Sequence, residues 1–400
     1  MRLLGMAFPF LRMIIFSLTV LSQIYLFVRA RQFIRGWRRT NHFKSRFILA
    51  VALAMSLLFA MNLYITFRPV PWIEPPWAVQ TILFYLPAVW SLGAIFSAGL
   101  LCLMQVAGWL GKMVVRPHRS PTSQTAAKNV NLSRRRFLQA AVGGVATAPL
   151  ILSGYGAAHA GTTYDMRELT LPFGRPLRVV QLTDIHAGIH MPPRQMRRYV
   201  EQVLALQPDL FVLTGDFISN SPVFLPGCLA EIARVRPRYG TFATLGNHEH
   251  WYGDLSEMQT IFRQHRILLL RNAHQVMQTE HGPFAVAGID DLKAGDPDLG
   301  AALYGLDLAV PTLLLSHRPE IFPEAAARGI PLTLAGHYHG GQIKFSLAGR
   351  DISLANFMTK YPEGLYSIKA SHLYVSRGIG TTFTPVRLNV PPEVTLFHLV

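Results

Sequence analysis

The chain has 400 residues, half of them hydrophobic, and a net charge of +16 that is unevenly placed. Residues 1–160 hold 17 basic side chains against one acid, Glu74, whereas residues 161–400 hold 21 of each sign and balance to zero. A nucleic-acid reading of the high pI therefore fails, because the excess charge lies in the most apolar part, the pattern by which membrane proteins set orientation. The two cysteines, Cys102 and Cys228, fall in different halves, which excludes a disulfide framework or a cysteine metal site within one domain.

In chain order, three apolar stretches come first: 8–28, 47–67 and the long run from Trp77 to Leu110. Each reaches the roughly 20 residues needed to cross a bilayer, and Arg12 can snorkel near a helix end. Arg29 to Arg46 after the first stretch and Lys112 to Arg136 after the third are basic, which predicts cytoplasmic loops. The connection 68–76, with Arg68, Glu74 and Trp72, suits the outer surface. A fourth apolar segment opens with SRRRFLQ (133–139) and reaches AHA at 158–160. It resembles a twin-arginine export signal with an AxA-type cleavage site, though such signals normally stand at the N-terminus. The expected division is a three-span region at 1–132, a signal or fourth span at 133–160, and a domain at 161–400 outside the cytoplasm. That topology implies a bilayer and a twin-arginine or general export machinery as partners.

The second half alternates short apolar runs with amphipathic segments. Runs at 177–182, 209–213, 240–245, 312–316 and 331–335 have the length and continuous apolar character of strands buried on both faces. Helical patterns intervene near 194–206, 225–235, 255–265 and 319–328, so an α/β fold is expected; from about 340 the pattern turns to β with loops.

Each run ends at residues of metal-ligand type: Asp184 and His186, Asp216, Asn247 and His248, His317, and His337 and His339. Ligands of open α/β sheets bind beyond the carboxyl ends of the strands, so five loops should converge on one site. In DIH and HYH the spacing i, i+2 would aim both side chains to one side if the backbone is extended. The glycines before Asp216, Asn247 and His337 permit sharp turns. This mixture of carboxylate, imidazole and amide exceeds what one zinc ion takes. It fits two divalent ions, which neutralise both the attacking and the leaving oxygens of a phosphoryl group.

On these residues the chain resembles the calcineurin-like metallophosphoesterases, whose pattern DxH, GD, GNH[DE], a lone His and GHxH recurs in order. It stands here as Asp184-Ile-His186, Gly215-Asp216, Gly246-Asn247-His248-Glu249, His317 and Gly336-His337-Tyr338-His339. GHYHGGQI and the C-terminal SRGIGTTFTPVRLNVPPEVTLFHL look like the exported, often membrane-tethered branch of that family. The resemblance implies a double β-sandwich flanked by helices, preceded by an all-α transmembrane region. It implies one ion held by Asp184, His186, Asp216 and His339 and a second by Asp216, Asn247, His317 and His337. The ions are manganese, iron, zinc or magnesium. It further implies His248 as the group that protonates the departing alkoxide or stabilises the charge beside it, and Glu249 next to it reads as an orienting residue and not as a ligand. Many relatives have Asp three residues after the GD aspartate where this chain has Ser219, which puts the support of His248 in question.

The expected activity is hydrolysis of phosphodiesters or pyrophosphates outside a bacterial cytoplasmic membrane, with lipid head groups or lipid-linked pyrophosphates as a substrate class. A metal-free sensor on the same fold and a transport protein with an accessory domain are the competing readings. Outside the five loops, His190 reads as a loop residue, Arg377 as a structural ion pair, and Arg197 and Arg198 as the solvated face of a helix.

Overall fold

The computed structural model describes residues 2–37, 39–67, 79, 81–114, 127–307 and 309–400. The chain divides into a helical unit within residues 6–157 and a second unit that runs from Ala158 to Val400.

The helical unit contains α1 (Arg2–Arg35), α2 (Asn41–Phe67), α3 (Leu86–Val114) and most of α4 (Ala127–Thr162). Four stretches are long and apolar enough to cross a membrane: Met13–Arg35, Asn41–Tyr64, Ile82–Gly111, which joins the π-helical turn Thr81–Tyr85 to α3, and Ala141–Thr162. These match the four expected spans by length and composition. Large apolar side chains such as Leu21, Leu53 and Leu103 point outward, as lipid-facing residues do. Helices α3 and α4 approach closely at Gly93, where any Cβ would come within 2.9 Å of Leu150 Cα. Beside it the Ser97 hydroxyl donates to the Ala146 carbonyl at 2.7 Å. Small residues and interhelical hydrogen bonds are the usual glue where lipid removes the hydrophobic drive. SRRRFLQ has helical backbone within α4, while the expected outer connection 68–76 lies outside the described residues.

The second unit is built on β1 (Asp165–Leu171), β2 (Leu177–Leu182), β3 (Leu210–Thr214), β4 (Thr241–Thr244), β5 (Ile267–Leu269), β6 (Ala273–Thr279), β7 (Gly282–Gly288), β8 (Thr312–Leu315) and β9 (Leu332–Ala335). There follow β10 (Lys344–Leu347), β11 (Arg350–Ser353), β12 (Gly364–Ile368), β13 (Ser371–Val375) and β14 (Glu393–Leu399). Two six-stranded sheets result, ordered β1-β14-β2-β3-β4-β5 and β12-β13-β9-β8-β7-β6, beside a separate ribbon of β10 and β11. The five expected strands all occur.

Alternation along the strands explains the layers. Val179 of β2 and Leu210 and Val212 of β3 pack between the sheets with Phe284, Leu313 and Leu334 of the facing sheet. Their neighbours Val180, Leu182, Phe211 and Leu213 face the helices instead. Both faces are thus buried, which is why these strands read as unbroken apolar runs. Each such side chain contributes about 1.5–3 kcal/mol by leaving water. The helices follow the expected amphipathic segments: Pro193–Ala205 buries Met196, Tyr199, Val200 and Val203, spaced three and four apart. The segment expected as one helix at 319–328 is instead a 3₁₀ turn, Pro319–Ile321, running into a short helix, Phe322–Ala327. Pro323 there removes the amide donor that a continuous α-helix from Pro319 would bond to the Pro319 carbonyl.

Candidate metal centre

The loops after β2, β3, β4, β8 and β9 meet at one point between the carboxyl ends of the two sheets. Three groups of potential ligand atoms lie within 4.8 Å of one another: Asp184, His186 and His339; His186, Asp216 and His248; Asp216, His317 and His337. In the first lobe His186 Nε2 is 3.0 Å from His339 Nε2, and His339 Nε2 is 3.3 Å from Asp184 Oδ1. In the second, His317 Nε2 is 3.1 Å from His337 Nδ1. Asp216 Oδ2 lies between them, 3.5 Å from His186 Nε2 and 3.3 Å from His317 Nε2.

These separations suit metal ligands. Bonds of roughly 2.1 Å meeting at about 90–110° put donor atoms about 3.0–3.4 Å apart. The protonation pattern agrees. Burial lowers the His186 imidazole to about 3, and burial with neighbouring His or Arg charge lowers His337 and His339 as well, so all three stay neutral. Burial would lower His317 too, but the Asp216 and Asp184 carboxylates outweigh it and push it up to about 10. Asp184 is raised to about 6 by burial, while for Asp216 burial is overcome by His317 and His248 and its pKa falls well below normal. A buried pair of carboxylates therefore draws positive charge into this cavity, the role a divalent cation fills.

The backbone differs from the extended geometry expected for DIH and HYH. Asp184, His186, Asp216, His337 and His339 all have left-handed backbone, with φ of 50°, 50°, 53°, 78° and 51°. Convergence at i, i+2 thus comes from paired left-handed residues and not from a pleated strand. Each such residue costs on the order of 1–3 kcal/mol, strain that clusters at functional sites. The preceding glycines allow the approach: at Gly215, φ 88°, a Cβ would lie 2.7 Å from both Gly246 N and His317 Nδ1.

Around the donors, the site is tightly held. Asp184 accepts from the His337 amide at 2.9 Å and from Thr183 Oγ1 at 2.8 Å. Glu249, fully buried, accepts from the amides of Asp216, Phe217, Ile218 and Gly246 at 2.8–3.2 Å, tying the β3 and β4 loops together. His248 donates its amide to Asp216 Oδ1 at 3.0 Å. The His248 Nδ1 is 2.5 Å from the Ser219 carbonyl, an acceptor only, so Nδ1 carries the proton and Nε2 faces the centre, 3.9 Å from Asp216 Oδ2. Position 219 supports His248 after all, through its main chain.

Three participants escaped the sequence reading. Arg318, buried, is paired with Asp291 at 2.9 Å, reaches Asn247 Oδ1 at 3.0 Å and contacts His337 Nε2. Arg387 places Nη2 3.1 Å from His339 Nδ1, and Thr382 Oγ1 is 3.0 Å from both His186 Nε2 and His339 Nε2. The one available signal was position: Arg318 directly follows His317, and Arg387 and Thr382 lie in the C-terminal GTTFTPVRL. Arg377 binds Glu393 at 2.6 Å and Asp165 at 3.0 Å, a structural ion pair. His190 lies in a turn closed by Gly188 and Met191, and Arg197 pairs with Glu231 at 2.6 Å.

Comparison with known proteins agrees with this geometry. Residues 177–341 match the family model of calcineurin-like phosphoesterases. A metallophosphoesterase of Aquifex aeolicus is 30% identical over 58% of this chain and 88% of its own length. A transmembrane protein with a metallophosphoesterase domain from Danio rerio is 28% identical over 95% of this chain and 86% of its own. Phosphodiesterase YaeI of Escherichia coli is 29% identical over 67% of this chain and all of its own length. The chain belongs to the calcineurin-like metallophosphoesterases, metal-dependent phosphoester hydrolases built around a dinuclear centre.

Proposed function

We propose that the protein is a membrane-anchored phosphodiesterase or pyrophosphatase acting outside a bacterial cytoplasmic membrane, on lipid head groups or lipid-linked pyrophosphates. The observation that carries the hydrolase is Asp216 Oδ2, set within 3.5 Å of an imidazole nitrogen of each lobe. On this reading Asp184, His186, Asp216 and His339 hold one ion, and Asp216, Asn247, His317 and His337 the other. When bound, the ions activate water and neutralise phosphoryl charge at neutral pH. Glu249 keeps Asp216 in place through its amide. His248, fixed by the Ser219 carbonyl, turns Nε2 toward the reacting group and, as the imidazolium, gives the Nε2 proton to the departing alkoxide while keeping the Nδ1 proton on that carbonyl.

A retained donor set on five separate loops argues against a metal-free sensor. The export route rests on SRRRFLQ and the AHA that follows, and with it the division into 1–132, 133–160 and 161–400. The relative named as a phosphodiesterase favours diesters over monoesters. The test is metal analysis of the purified chain together with hydrolysis of bis(p-nitrophenyl) phosphate and p-nitrophenyl phosphate. Two metal equivalents and faster diester turnover are expected. A chain that turns over neither ester after loading with manganese, iron, zinc or magnesium overturns the reading.

A further inference from the structure

The segment after the GHxH histidines leaves the sandwich and exposes apolar side chains that soluble proteins bury. Its ribbon, β10 with β11, joins neither six-stranded sheet. The turn at Ala348 and Gly349, φ 50° and 76°, has the positive dihedrals of a two-residue hairpin. Phe345 opposes Ile352 and Leu347 opposes Arg350, so these four share one face of the ribbon. The chain then passes into the short helix Ala355–Met358. Leu347, Leu354, Phe357 and Met358 are between 61 and 80% exposed, and Phe345 is half exposed. Clustered exposure of this kind marks an interaction surface.

This surface is continuous with the metal centre. Gln342, two residues before β10, accepts from the Thr382 amide at 2.6 Å and donates to its carbonyl at 3.0 Å. The Thr382 hydroxyl lies 3.0 Å from His186 Nε2 and His339 Nε2, and Phe383 beside it is 60% exposed. A Cβ on Gly341 would lie 3.1 Å from Ala355 N, so the start of the short helix packs on the turn after His339.

We propose that this ribbon and helix form an interfacial anchor, dipping into the leaflet of the bilayer to which the chain is tethered. The anchor brings a phosphoester at head-group level to the centre from the membrane plane. The proposal rests on the hydrolase reading above and narrows its substrates to those held in a leaflet. Three observations favour lipid over another occupant. Only Thr163 and Tyr164 separate the membrane-length helix α4 from β1, so the uncut chain tethers the domain to the bilayer by a two-residue connection. Arg350, Lys360 and Lys369 are exposed in the same segment, against one exposed acid, Asp351, and suit anionic head groups, in a half that as a whole carries no net charge. Aromatic and aliphatic tips beside basic side chains are the composition of interfacial anchors.

The experiment uses the full-length chain with exposed Cys102 replaced by serine, reconstituted in nanodiscs of phosphatidylcholine and phosphatidylglycerol. Spin labels are placed at Leu347→Cys and Phe357→Cys, with Tyr304→Cys, 87% exposed and outside this segment, as the aqueous control. Labels at 347 and 357 should collide with oxygen more than with a nickel chelate, and the label at 304 the reverse. Three labels with the same aqueous profile overturn the anchor, and so do labels at 347 and 357 shielded from both reagents, which would mean a protein partner. The double variant Leu347→Glu with Phe357→Glu should hydrolyse a phospholipid diester in the nanodisc at least tenfold more slowly. It should hydrolyse bis(p-nitrophenyl) phosphate within twofold of the parent. Equal loss on both substrates overturns the anchor, whereas a parent inactive on the soluble diester overturns the hydrolase reading instead.

Discussion

The two lobes of the centre use similar imidazoles but manage charge differently. Each GHxH histidine has a guanidinium against the ring nitrogen that faces away from the donors: Arg387 at His339 in the first lobe, Arg318 at His337 in the second. Arg387 is wholly buried and its hydrogen bonds run to the carbonyls of Gly380, Arg377, Gly378 and Val390 as well as to His339. Burial lowers it to about 10, which still leaves it charged at neutral pH. Arg318 is neutralised directly by Asp291. The offsetting carboxylate of the first lobe, Asp184, sits among its donors, whereas that of the second, Asp291, acts through an arginine. The second lobe is also the more open, since His337 is half-buried where Asp184, His186 and His339 are buried. A fully buried charge needs compensation nearby, and the comparison shows two ways of supplying it.

The largest effect should come from the one group common to both lobes. Asp216→Asn removes the carboxylate charge that faces His186 and His317 and leaves one lobe without an anion among its donors. At least one metal equivalent should be lost and turnover of bis(p-nitrophenyl) phosphate should fall by about 10³-fold or more. Metal analysis beside the rate checks this. An Asp216→Asn protein with two equivalents and an unchanged rate would mean that the lobes do not share this residue.

A smaller loss should follow at His248, which touches Asp216 but belongs to neither proposed donor set. His248→Gln should keep both metal equivalents and lower turnover by about 10²-fold for an alkoxide leaving group, the lower end of what general acid catalysis supplies. A nitrophenoxide leaves without needing a proton, so its loss should be smaller. Equal losses for the two leaving groups would remove the acid role and leave His248 a positioning residue.

Much of this was legible from the residues because burial on both sheet faces writes itself as short unbroken apolar runs, and Asp184, Asp216, Asn247, His317 and His337 each follow one. The sequence could not show the left-handed backbone at Asp184 or His339, since Asp and His adopt it only where surrounding loops impose it. The support of His248 was hidden for another reason: a carbonyl exists at every position, so Ser219 looked like a loss until its main chain was seen 2.5 Å away. Arg318 and Arg387 were missed because their roles depend on partners far along the chain, 27 residues away for Asp291 and 48 for His339. The ribbon after residue 344 read as β with loops, but its detachment from both sheets is a matter of pairing, which local pattern does not specify.

The subtlest test of the difference between lobes is Asp291→Asn. Asp291 is fully buried, accepts from the amides of Lys293 and Ala294 at 3.0 and 2.7 Å, and holds Arg318 against Asn247 and His337. Removing its charge leaves a bare guanidinium beside the second lobe, where it repels a cation and is no longer fixed. Asp184 is untouched, so the first lobe keeps its own carboxylate. Titration of the metal-stripped protein should then show one ion bound as in the parent and one weakened by about 10–100-fold, the usual cost of losing a group that orients metal ligands. The double variant Asp291→Asn with Arg318→Leu, which deletes the stranded charge, should recover part of that affinity. If both ions weaken alike, or if the double variant binds no better than the single, the charge pair does not act on one lobe, and the asymmetry lies in exposure alone.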